Sequence, residues 1–86
     1  MMTRKEFVCT LKLMGFEDHM YKREHMINTS NGMIAGIPTH APICSMRKEK
    51  KTALEAMCSP GTLWINSASY PVALKEYTQW INNLTN

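Results

Sequence analysis

The sequence predicts an α+β fold: a small, mostly antiparallel sheet of three to four strands covered by N- and C-terminal amphipathic helices. Three features carry this reading. A capping-box start is followed by helical apolar spacing near the N-terminus, an Asn-Gly turn separates two short runs in the middle, and a long apolar stripe of helical period closes the chain. With 86 residues and no internal repeat or linker, residues 1–86 are read as a single domain. At that size folding buries only about 60 to 65% of the surface of the unfolded chain, so stability should be modest.

The elements follow in order. In "TRKE", Thr3 and Glu6 stand at capping-box spacing, so a helix starts there. Phe7, Val8, Leu11 and Met14 recur at helical spacing, while Lys5, Thr10 and Lys12 fall largely off that stripe. Gly15 should stop the helix, because glycine takes the left-handed conformation of a helix C-terminus and Phe16 can fold back on the last turn. Residues 20–28, "MYKREHMIN", alternate without a dominant apolar face: Tyr21 and Ile27 share one side with Arg23 and His25. That predicts a half-buried strand at an edge. Asn31-Gly32 then signals a hairpin, with residues 33–37 as the partner strand and Pro38 ending its ladder.

"APICSM" supplies a short third strand. Thr52 and Glu55 repeat the capping-box spacing, so a second helix begins at Thr52, or earlier and takes in the basic run before it. Its apolar positions are Leu54, Met57 and Cys58. Ser59-Pro60-Gly61 is a turn into "TLWIN", a fourth strand with Leu63 and Ile65 facing one way and Trp64 the other. Ala73, Leu74, Tyr77, Trp80, Ile81 and Leu84 trace the final helical stripe, with Pro71 in its first turn and Ser69 or Tyr70 as cap.

Composition narrows the function classes. Hydrophobic residues at 44% and charged residues at 20% are those of an ordinary globular protein. No apolar run approaches the roughly 18 residues of a membrane span, and "MMTRKEFVCTLKLMGF" interrupts any leader with charge, so a cytoplasmic protein with no membrane partner is expected. Cys9, Cys44 and Cys58 are odd in number and lack a C-x-x-C pair, which predicts buried reduced thiols. The glycosylation patterns at Asn28-Thr29-Ser30 and Asn83-Leu84-Thr85 are read as chance.

No chemistry-bearing constellation emerges. His40 and Cys44 could join His25 and Cys58 around zinc, but the paired close ligands of structural sites are missing. The seven acidic residues are scattered, Glu6 and Glu55 already serve caps, and the four glycines form no phosphate loop. The expectation is a protein without enzymatic activity, metal or cofactor. Six of the eight methionines, Met14, Met20, Met26, Met33, Met46 and Met57, are assigned mainly to core packing. Trp64 becomes the best interface anchor if no helix covers its face of the sheet. Arg47, Lys48, Lys50 and Lys51 could track phosphates, with Tyr21, Trp64 and Tyr70 available to stack bases. Net charge is only +3, and cations and aromatics are not interleaved, so the run is read first as the solvated start of a helix.

The opening "MTRKEFVCTLKLMGFEDHMYKRE", a capped helix, then Gly-Phe, then a tyrosine-bearing strand, resembles the start of many small accessory proteins encoded by bacteriophages. That resemblance implies action by binding in the host cytoplasm, as an inhibitor of a host enzyme or defence system or as a trap for a signalling molecule. The function expected first is stoichiometric binding and blocking of a host macromolecule, a host protein before others, through Trp64, Tyr21 and the basic run. The alternatives are weak sequence-independent nucleic-acid binding and an oligomeric sponge for a small anionic, nucleotide-like ligand. The sponge would set Arg23, His25 or the Arg47 to Lys51 cations against phosphate. A homodimer or higher oligomer is compatible with each reading.

Overall fold

Thr3 and Glu6 cap helix α1, Arg4–Leu13, reciprocally: the Glu6 amide donates to Thr3 Oγ1 at 3.1 Å and the Thr3 amide to Glu6 Oε1 at 3.2 Å. The helix ends as a Schellman turn. Gly15, at φ +100°, donates to the Lys12 carbonyl, and the Phe16 amide reaches the Leu11 carbonyl at 2.9 Å. A side chain at Gly15 would be strained in that conformation.

The computed structural model describes residues 1–48 and 63–85. Beyond α1 these form strands β1 (Glu17–Asp18), β2 (His25–Asn28), β3 (Met33–Gly36), β4 (Ile43–Lys48) and β5 (Trp64–Ser69), and helix α2 (Tyr70–Thr85). The sheet is antiparallel with strand order β1-β2-β3-β4-β5, and the α+β class holds. Five strands replace the three to four expected, because the Schellman turn draws Phe16 into the core and lays the next two residues along β2. The predicted strand over residues 20–28 keeps only its second half. The His19 amide bonds the His25 carbonyl and the Tyr21 amide bonds His19 Nδ1, closing residues 19–25 as a turn in which Glu24 has φ 60°. Tyr21 and Arg23 therefore lie in that turn, not on the strand, and Met20 is exposed, not core.

The hairpin between β2 and β3 has four loop residues, and only Gly32 takes positive φ. Its lock is Asn28, 3% exposed. Asn28 Nδ2 donates to the Met14 carbonyl and Tyr77 Oη, while Oδ1 accepts from the Ser30 amide and hydroxyl. With its nitrogen so committed, this asparagine cannot be glycosylated in the folded chain.

The described part of the basic run is strand, not a helix start: Arg47 and Lys48 end β4, opposite Ile34 and Met33 of β3. Lys50, Lys51, Met57, Cys58 and the predicted helix from Thr52 lie outside the described residues. In β5 a bulge inserts one extra residue opposite β4, with Ser67 at φ 57°, and the strand runs directly into α2. Met26, Met33, Ala35, Cys44, Met46 and Ile65 line one sheet face and share a core cluster with Phe7 and Leu11 of α1 and Tyr70, Ala73, Tyr77 and Trp80 of α2. Phe7 stacks on Tyr70 at 4.6 Å, and Phe16 meets Tyr77 edge-on at 5.3 Å. Cys44 is buried as expected, whereas Cys9 is exposed on α1, because its position falls outside the Phe7 and Leu11 stripe.

Candidate functional site

Both described helices contribute to the cluster on one sheet face, which leaves the alternate strand positions on the other. There the register aligns Ile27, Ile34, Arg47 and Trp64 in one row across four strands. A second row sets His25 opposite Gly36 and Gly36 opposite Ser45. Between the rows lies a cleft of about 210 Å³ lined by residues of β2 to β5 that include His25, Ile34, Gly36, Ser45, Arg47 and Trp64. Ile34 is 2% exposed at its floor, and Trp64, 72% exposed, stands at its rim.

A second cleft, of about 260 Å³, opens between α1 and the turn before β2, and His25 belongs to both. Its charges are mixed: Arg4, Lys22 and Arg23 face Asp18 and Glu24. Arg4 is committed to the Ile37 carbonyl through Nε and a terminal nitrogen at 3.1 and 2.8 Å. Thr39 Oγ1 donates to Glu24 Oε1, which holds the Glu24 carboxyl below its usual range and keeps it ionised. Among the described residues the first cleft is lined by Arg47 and no carboxylate, so of the two it is the one suited to an anion.

Of the residues singled out from sequence, the structure brings together His25, Arg47 and Trp64. Arg23 is at the near end of the second cleft, and Tyr21 stands beside His19 with ring centroids 6.3 Å apart, exposed at the turn. Lys48 does not join Arg47: it alternates to the other sheet face, in register with Met33. Lys50 and Lys51 lie outside the described residues. Sequence reading missed Ile34, Gly36 and Ser45, whose signal exists only in the register, where small residues on β3 and β4 meet. Among the described residues no three His, Cys, Asp or Glu side chains are grouped as metal ligands.

Arg47 extends from a strand whose alternate residues, Cys44 and Met46, are anchored in the core, and Trp64 from one anchored by Ile65. The pair is thus held on a rigid backbone, a cation beside an exposed indole, as a surface for flat, anionic groups. Comparison with protein-family models, with curated proteins and with solved structures finds no match to this chain.

Proposed function

We propose that the protein is a small, non-enzymatic binding protein that occupies its partner stoichiometrically, and that the partner is single-stranded nucleic acid laid across the sheet edge that carries Arg47 and Trp64. The cross-strand pairing of Arg47 with Trp64 carries this reading. Along the chain these residues are far apart, and the interleaving of cations with aromatics expected of such a binder is missing. Antiparallel pairing supplies it. Trp64 offers a ring on which a base can stack, a contact of about 1 to 3 kcal/mol. Arg47 offers a phosphate contact, and among the described residues no carboxylate lines the cleft beside it.

This reorders the expectations from sequence, which placed a host protein first. A protein partner retains support from half-buried Ile27, which lies in the row of Trp64 and Arg47 and adds apolar surface to that of the exposed indole. Fluorescence anisotropy with a labelled, 5′-hydroxyl oligothymidylate separates the two. Single-strand binding that falls by roughly 5- to 150-fold in Trp64→Ala, the loss of one stacked base, supports the nucleic-acid reading. Absence of binding at low salt, or equal affinity for a duplex, overturns it.

A further inference from the structure

We propose that the hollow over Gly36 is a phosphate seat, so that the unit recognised by this face is a nucleoside phosphate, its base on Trp64 and its phosphate among His25, Ser45 and Arg47. The proposal deepens the single-strand reading and rests on the same face. Gly36 is buried in the central strand, and its φ is not in the left-handed region, so the backbone there does not require glycine. Space does. An ideal Cβ at this position would stand 3.0 Å from Ser45 Oγ and 3.3 Å from His25 Nε2. Without it, a hydroxyl and a ring nitrogen close in over the Gly36 backbone at the base of the cleft.

The orientation of His25 is set. Its Nδ1 lies 2.6 Å from the Arg23 carbonyl, an acceptor only, so Nδ1 carries the proton and Nε2 is the atom left facing the hollow. Neutral, Nε2 accepts from a phosphate hydroxyl; protonated, it donates to a phosphate oxygen. Ser45 Oγ donates from the other side. Arg47 follows two residues along the same strand face, about 7 Å further, with a guanidinium that can close over the phosphate. Trp64 is opposite Arg47, one strand spacing of about 4.8 Å away, on the side where the base of such a ligand would fall. The cleft, at about 210 Å³, holds some seven waters at about 30 Å³ each, enough to seat a phosphate and part of its sugar. His25, Gly36, Ser45, Arg47 and Trp64 are thereby all accounted for by one ligand.

Thymidine 5′-monophosphate and thymidine are the probes, titrated by NMR against the amides of Gly36, Ser45 and Trp64. The monophosphate should bind at least about tenfold tighter than the nucleoside, the least expected from a charge-assisted bond, and should shift Gly36 and Ser45. Gly36→Ala fills the seat and should erase that difference while leaving thymidine binding unchanged; Ser45→Ala, which adds no bulk, should narrow it, and thermal melts establish that both variants fold. Trp64→Ala should weaken both ligands. Equal binding of nucleotide and nucleoside, or wild-type nucleotide affinity in both seat variants, overturns the seat. If oligothymidylate still binds in that case, the single-strand reading survives without it. Conversely, monophosphate binding that depends on Gly36 with no oligonucleotide binding upholds the seat and identifies the ligand as a free nucleotide.

Discussion

Replacing Asn28 with alanine should destabilise the fold by about 2 to 3 kcal/mol. The side chain is 3% exposed and joins three pieces of the chain: the end of α1 through the Met14 carbonyl, the β2–β3 loop through Ser30, and α2 through Tyr77 Oη. Ser30 is exposed, so its amide and hydroxyl exchange Asn28 Oδ1 for water at little net loss. The interior bonds from Nδ2, at 3.2 and 3.3 Å, have no such replacement, although Tyr77 Oη keeps its bond from Asn31 Nδ2 at 2.9 Å. Two bonds at about 1 kcal/mol each, with the packing of the amide against Gly15, give the total. A domain of this length has roughly 4 to 13 kcal/mol in all. The melting temperature should fall by roughly 10 to 20 °C. Urea unfolding followed by circular dichroism should show a lower midpoint with an unchanged slope. A loss within about 0.5 kcal/mol, the range of an ordinary surface change, would refute the idea that Asn28 locks these elements together.

Trp80, 7% exposed in the core cluster, should cost about 3 to 5 kcal/mol on replacement by alanine, enough to threaten folding and visible as loss of the cooperative melt; a variant that melts like the parent would place the ring outside the core. Burial pushes the Cys44 thiol up from the usual value near 9 to about 11, so at pH 8 only about one molecule in a thousand carries its thiolate, and Ellman's reagent should label exposed Cys9 quickly and Cys44 only on unfolding. Because the folded-state value is raised, the contribution of Cys44 to stability is complete below pH 9 and lost between about pH 9 and 11; it should appear as a shrinking difference between the parent and Cys44→Ala in urea titrations over that window. Arg47→Gln should make the dependence of log affinity for oligothymidylate on log salt shallower by about 0.7, the single-strand value for one phosphate contact, whereas Lys5→Gln on the exposed side of α1 should leave it unchanged.

What the amino-acid order determined by itself is what depends on neighbours within a turn or two. The capping box of Thr3 and Glu6 and the Schellman stop at Gly15 and Phe16 are both closed by bonds spanning at most five residues. The stripe of Ala73, Tyr77 and Trp80 likewise needs only the helical period to choose its buried side. The alternation of Leu63, Trp64 and Ile65 was legible for the same reason: a strand period of two separates core from surface without reference to any other strand.

Tertiary structure decided the rest. Strand β1 is two acidic and exposed residues with no pattern of its own, and it exists because Phe16 is buried beside it and β2 presents an open edge. The shift of the strand start from residue 20 to His25 depends on bonds that close the turn from His19. Asn28 reads locally as one polar residue before a loop; its burial follows from Met14 and Tyr77 arriving from opposite ends of the chain. The candidate site is the extreme case. Arg47 opposite Trp64, and His25 and Ser45 flanking Gly36, are products of register, and a slip of one residue would turn each strand's set to the other face. Register is set by the summed burial of Met26, Met33, Ala35, Met46 and Ile65 against the helices, a property of the whole core that no short stretch contains.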